Sequence, residues 1–344
     1  MKSVSLSRHR WTTVPIGGVA IIGMLLLTAF ASAANANSSS GTQASYSQEV
    51  GATLPAAGGC YFVAYPSTTW ESEPCGAAPT NPYTVGKYAG DWTAEPSTSG
   101  SYIQHAWGEF ETAGGINSES DNGSGYNSGT DSYSLQMNTN TFPTTTYSYS
   151  NSTAVKGWEQ FIFANQVGES IGQLFIQYWL IGYNQGGRSC SSLSHTDTDA
   201  WQSSGHDCYA TSTNATTTSE INPSDGNFTY LSTEGEAFSS SDKAVICTSG
   251  SSCYGVVVST SLLGLISSNW TDAEWNVFGN GLNARASFNS GTSLKDEISL
   301  WDTNGNIVDY PTCYDHSWTS ETNNLTLPGS CSQYLDYMAF TESN

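Results

Sequence analysis

Basic residues are scarce in this chain. Its 344 residues include nine Lys and Arg against 30 Asp and Glu. Lys2, Arg8 and Arg10 stand at the extreme amino terminus, so only Lys87, Lys156, Arg188, Lys243, Arg285 and Lys295 serve the remainder. So acidic a surface repels nucleic acid and anionic membrane, and neither is expected as a partner. In acid, where carboxylates are neutral, charge would come only from those six bases, the amino terminus and His105, His195, His206 and His316. Self-repulsion would then stay low, so the composition tolerates low pH. After residue 30 there is no apolar run near the roughly 20 residues a membrane span needs. There is no H-E-x-x-H zinc helix and no C-x-x-C pair, so neither a metal nor a cofactor is expected. Asp-Thr-Gly and Asp-Ser-Gly are missing, which argues against an aspartic peptidase. The E-x-D-x-x-E pattern of β-glucanases is also missing; Glu119-Ser-Asp121 comes nearest, but residue 124 is Ser.

What is present begins with an export signal. The early bases precede an apolar run from Val14 to Phe30, then two A-x-A sites, Ala31-Ser32-Ala33 and Ala34-Asn35-Ala36. That order predicts a secretory signal peptide over 1–36 and an extracellular location. Ser, Gly and Ala dominate 37–57, which reads as a flexible leader, and 58–344 as a single β domain. All eight cysteines follow the signal, and outside the cytoplasm they are expected as disulfides. Connectivity is open from sequence. Sequential pairing would close four short loops: Cys60–Cys75, Cys190–Cys208, Cys247–Cys253 and Cys313–Cys331. The third would clamp a hairpin whose turn is Thr248–Ser252.

From Gly59 onward, short β-branched and aromatic runs alternate with Gly, Ser, Asn and Asp clusters, the texture of an all-β sandwich or barrel. The clearest strands are Tyr133–Met137, Gln160–Ala164, Gln173–Ile181, Ala244–Cys247, Tyr254–Ser259, Glu274–Phe278, Ala284–Asn289 and Glu297–Trp301. Ser261–Ser268 is the one helix-like stretch, Gly114–Asp131 reads as a mobile loop, and Asn304-Gly305 as a hairpin turn. In Gln173–Ile181, Leu174, Ile176, Tyr178 and Leu180 fall on one face and Phe175, Gln177, Trp179 and Ile181 on the other. Such a strand is central. Its second face is either a groove floor or a further buried layer in which backbone satisfies Gln177. His195, Asp197, Asp199, His206 and Asp207 cluster inside one cysteine loop, but their spacing fits a solvated loop better than a compact metal site.

The strongest chemical constellation spans two strands. Trp158, Gln160 and Ile162 share one face of the first; Glu274, Asn276 and Phe278 share one face of the second. The run Thr271-Asp-Ala-Glu-Trp-Asn-Val, followed by Ala284-Arg-Ala-Ser-Phe-Asn289, resembles the strand pair that carries the catalytic Glu of glutamic peptidases (eqolisins). Glu159-Gln160-Phe161-Ile162, followed by Gln177-Tyr178-Trp179, resembles the region of their catalytic Gln. The W-x-G-I-D-G motif of that region is absent here. More broadly, Gly59-Cys60, Tyr65-Pro-Ser-Thr, Gly157-Trp-Glu-Gln-Phe, Gln177-Tyr-Trp-Leu-Ile and Phe340-Thr-Glu-Ser-Asn344 resemble a group of secreted bacterial β-proteins without assigned activity. The eqolisin resemblance implies a lectin-like (concanavalin-type, jelly-roll) antiparallel sandwich with a polypeptide groove. It implies Glu274 as the base that activates water and Gln160 as the oxyanion donor, with Trp158, Gln177, Trp179 and Asn276 lining the substrate site. The competing expectation is a non-catalytic module that binds extracellular glycans, using the same sandwich with Trp and Tyr as stacking platforms.

Overall fold

Apolar side chains at every second position of most strands give each strand a face to bury, and two large antiparallel sheets result. The computed structural model describes residues 46–83, 91–121, 128–144, 155–166, 170–194, 196–249, 252–268, 270–281, 284–316 and 322–344. The expected signal peptide, residues 37–45 of the leader, Lys87 and His195 lie outside the described residues. In hydrogen-bonded order, the first sheet runs Glu71–Glu73, Gly59–Ala64, Ser252–Val258, Asp242–Cys247, Ser232–Ala237, Ile103–Gly114, Ser293–Asp302, Met338–Ser343 and Ser332–Gln333. The main path of the second runs Gln202–Ser204, Asp207–Thr211, Ile171–Ile181, Lys156–Gln166, Tyr133–Thr139, Ala273–Gly279, Asp91–Glu95 and Thr312–His316. A small third sheet joins Thr322–Asn323, Arg285–Phe288 and Glu119–Asp121.

The two large sheets face one another as a sandwich. Phe110, Ala244, Ile246, Val256 and Ile298 of the first join Met137, Phe161, Leu174, Ile176 and Trp275 of the second in one buried core. The larger of these side chains contribute about 2 kcal/mol each by leaving water. Two glycines of the first sheet let rings of the second lie flat against its backbone. A Cβ on Gly108 would sit 2.1 Å from Trp275 Cγ, and one on Gly235 would sit 2.3 Å from Phe161 Cδ2. Gly235→Val should therefore lower the unfolding free energy by about 3 kcal/mol or prevent folding, as overpacking does when rings cannot shift. An unchanged urea midpoint would contradict this packing.

The four disulfides pair sequentially, as the loop reading expects, and no cysteine is free. Several local expectations need correction. The described part of the leader, 46–57, is docked rather than loose. Residues 46–51 are helical, and Tyr46, Val50 and Leu54 pack with Tyr61, Val63, Val245 and Val257. The short apolar spacing within a Ser- and Ala-rich stretch hid that contact. Ser261–Ser268 yields only a 3-10 turn, Leu265–Ser268. Gly114–Asp131 contains a strand, Glu119–Asp121, with both acids buried. Ala284–Asn289 does not pair with the Glu274 strand; its Arg285–Phe288 core pairs with Glu119–Asp121. At Asn304-Gly305 the chain makes the expected turn, with the Asp302 carboxylate accepting from the Asn304 and Asn306 amides. Among the described residues, no helix is long and apolar enough to cross a membrane.

Candidate active site

Antiparallel register aligns six polar residues across the second sheet. Thr93 lies opposite Glu274, Glu274 opposite Asn138, Asn138 opposite Gln160, Gln160 opposite Gln177, and Gln177 opposite Thr211. Directly opposed residues share a face. That face is the outer one, because Met137, Phe161, Trp275 and Tyr178, each adjacent in sequence to a member of the row, point into the core. Glu274 and Gln160, 114 positions apart in sequence, thus occupy one row, two strands from each other. That is a backbone separation of roughly 10 Å at the usual strand spacing. Both are wholly buried.

A chain of hydrogen bonds runs between them in one direction. Trp179 Nε1 donates to Gln160 Oε1 at 2.8 Å. Gln160 Nε2 donates to Asn138 Oδ1 at 3.0 Å and to Gln136 Oε1 at 2.9 Å. Asn138 Nδ2 donates to Glu274 Oε2 at 2.9 Å. An indole N–H can only donate, so Trp179 fixes which end of the Gln160 amide is oxygen. The Gln160 NH2 group must then face Asn138 and the carboxylate side. Aligned donors of this kind polarise one another. The Asn138 amide occupies the interval between the Glu274 carboxyl and the Gln160 amide nitrogen and is hydrogen-bonded to both.

Beyond Glu274 the row borders buried carboxyls. Asn276 Nδ2 donates to Asp91 Oδ1 at 2.7 Å and to Glu342 Oε2 at 3.3 Å. Burial above all, then the charges of Glu274 and Glu342, push the Asp91 carboxyl well above its ordinary range. Burial likewise raises Glu342 to about 7 against the opposing hydrogen bonds from Asn276 and Asn323. Asp296 is raised by the same causes, burial first, then Glu342 and Asp91. Glu274 therefore sits at the margin of a region that holds protons to near-neutral pH.

The residues expected to line a substrate site divide in role. Trp158 and Trp179 are enclosed with Tyr209 rather than displayed as platforms, and Trp158 Nε1 donates to the Thr139 carbonyl. Gln177 is buried, and its amide grips main chain: Nε2 donates to the Asn81 carbonyl at 2.9 Å, and Oε1 accepts from the Tyr83 amide at 2.7 Å. Of the two readings of this face, a further buried layer with Gln177 satisfied by backbone is the one observed. Asn276 belongs to the acid cluster. Sequence reasoning missed Asn138 and Gln136. The signal was there, since Ser134, Gln136 and Asn138 alternate with Leu135 and Met137 along a recognised strand. It also missed that Gly168-Glu-Ser170-Ile-Gly172 spells the G-x-S-x-G of hydrolase elbows. Ser170 has φ 55° and leads into the strand Ile171–Ile181 rather than a helix, so the strand-to-helix context of that motif is missing.

Among the described residues, the loop acids near His206 form no cluster that could hold a metal. Asp207 Oδ1 accepts from the Gly182 amide, and Asp197 Oδ2 accepts from Ser259 Oγ. A tighter group on the first sheet joins His105, Glu234 and Glu236. There Lys243 Nζ already stands 3.3 Å from Glu236 Oε2, so a cation is in place.

Trp179→Phe should keep the fold and the enclosed ring packing while releasing the Gln160 amide to rotate. If the row is catalytic, kcat falls about tenfold with KM little changed, the signature of lost positioning rather than lost binding. Equal loss in both, or none, would remove Trp179 from that role. Set against protein-family models, curated proteins and solved structures, the chain matches none of them.

Proposed function

We propose that the protein is a secreted endopeptidase of the glutamic type that works in acid. The observation that carries this reading is the shared row: Glu274 and Gln160 meet the same Asn138 side chain from opposite sides. Glu274 takes a proton from water as the water attacks the peptide carbonyl, and later returns it to the leaving amine. Gln160 Nε2 donates to the oxygen as charge builds there, one of its present acceptors giving way. No nucleophilic side chain and no metal is required. The lectin-like arrangement implied by the resemblance is compatible with two antiparallel sheets, and export is compatible with four disulfides. Glu274 and Gln160 are wholly buried, so this reading requires the outer face over them to open for a substrate to enter.

Incubation of the purified protein with denatured casein across pH 2 to 7 tests the reading. Cleavage should be confined to acid, where the Asp91, Glu342 and Asp296 carboxyls beside the row keep their protons. It should also survive chelators and reagents that block serine and cysteine nucleophiles. Absence of new peptides at every pH would end it. The other reading, a glycan-binding or adhesive module, rests on exposed Tyr310, Tyr314 and Tyr334 rather than on the row, whose tryptophans are enclosed. Glycan binding that is indifferent to Glu274→Gln, without proteolysis, would favour it.

A further inference from the structure

Residues 77–83 lie along the outer face of the second sheet much as a bound peptide would. Gly76 and Ala77 pair antiparallel with Ala215 and Asn214. Beyond them, side chains of the sheet take hold of the segment's main chain. Gln173 Nε2 donates to the Ala77 carbonyl at 2.7 Å, and Tyr209 Oη donates to the Thr80 carbonyl at 3.2 Å. Gln177 grips the Asn81 carbonyl and the Tyr83 amide together. The side chains of Ala77 and Thr80 are exposed and play no part in this. Pro79 and Pro82 restrict the segment toward extended conformations. Ala78 and Pro82 are buried, and one large side chain is read: the Tyr83 ring packs among Ala78, Ile162, Ala164, Phe175 and Ala215, and its hydroxyl donates to Asn280 Oδ1 at 2.6 Å. Gln177 stands next to Gln160 in the row, so the gripped main chain ends one strand from the proposed oxyanion donor.

We propose that this face is a polypeptide-binding groove that recognises extended main chain plus one aromatic side chain, with residues 77–83 as its occupant in cis. The proposal deepens the peptidase reading and rests on it for the fate of the bound chain. Main-chain recognition through amides and a hydroxyl suits unfolded polypeptides of broad sequence. The Tyr83 pocket selects those that present an aromatic residue. The Cys60–Cys75 disulfide tethers the occupant just before its first gripped carbonyl.

A fluorescein-labelled octapeptide, Gly-Ala-Ala-Pro-Thr-Asn-Pro-Tyr, is the probe, read by fluorescence anisotropy at pH 4. Tyr83→Ala empties the pocket in cis and should bind the peptide at least about tenfold more tightly than the wild-type protein. Adding Gln177→Leu should reverse that gain by about tenfold, the worth of one to two hydrogen bonds to main chain. A folded Tyr83→Ala that binds no better than wild type overturns the proposal. Should that variant not fold, hydrogen exchange on the wild-type protein decides. Millimolar peptide should speed exchange of the Tyr83 amide by displacing the segment, and an unchanged rate overturns the proposal. Peptide binding without casein cleavage at any pH keeps the groove and removes the peptidase. Acid cleavage alongside failed peptide binding does the reverse.

Discussion

Raising the pH from 4 to 8 should lower the melting temperature by about 15 °C or more, the opposite of ordinary acid sensitivity. The cause is a set of carboxyl groups buried with almost no cations to meet them. Burial raises Glu109 to about 9, with a smaller contribution from the Glu297 charge. Burial also raises Glu119 to about 9. Glu159 and Asp242, both buried in the core between the sheets, are pushed up, chiefly by burial. Asp91, Glu234 and Asp296 move the same way. A carboxyl whose pKa is higher in the folded chain than in the unfolded one holds its proton more tightly when folded. Its stabilising effect is complete below about pH 4 and drains away as pH climbs to the folded value, here between about 7 and 9. For a group moved from 4.5 to about 9, the loss is about 3 kcal/mol by pH 7. Glu109 and Glu119 together then approach the whole stability of an ordinary domain, about 5–15 kcal/mol. His105 acts in the other direction, since burial lowers its pKa and acid must charge it in the unfolded chain. It is one group against many. Few ion pairs exist for acid to break; Lys243–Glu236 and the Lys295 contacts with Glu111 and Glu297 are the Lys pairs among the described residues. Calorimetry from pH 3 to 9 checks the sign, and a melting temperature that rises from pH 4 to pH 8 would refute it.

The second large effect concerns the row itself. Gln160→Ala should cut kcat about 10²–10³-fold, the measured worth of a single oxyanion donor, while KM changes little. Glu274→Gln should cost more, about 10⁴-fold or greater, because it removes the base and the acid of one cycle. The double variant should lose scarcely more than Glu274→Gln alone, since an oxyanion donor has nothing to stabilise when no water is activated. Glu274→Gln should keep its melting temperature near that of the parent at pH 4, whereas Gln160→Ala strands the Trp179 donor and the Gln136 and Asn138 acceptors and should melt lower, so its kcat is read at equal folded concentration. Additive losses would mean that the two residues act on separate events.

The sandwich was legible in the sequence because period-two alternation is a local property. Leu174, Ile176 and Tyr178 announce the core face of their strand without help from the remainder of the chain. The disulfide loops were legible for the same reason, each closing over a short stretch. The row was half legible. Residue types on single strands name Glu274 and Gln160, yet their alignment depends on register across Tyr133–Thr139, which alternation within one strand does not fix. Asn138, the residue that joins them, is singled out only by that register. The enclosure of Trp158 and Trp179 and the cover by residues 77–83 were not legible. They depend on a segment with little periodicity of its own, held by Gln173, Gln177 and Tyr209 from distant strands. The docking of Tyr46, Val50 and Leu54 was lost in the same way, inside a composition that resembles a linker.

Mass spectrometry of denatured casein after incubation at pH 3.5, with the parent protein and Glu274→Gln side by side, reads the central claim most directly. New peptide termini should accumulate with the parent and be absent with the variant at equal folded concentration. Identical termini from both proteins, or none from the parent, would contradict the assignment of Glu274 and Gln160 as a catalytic pair.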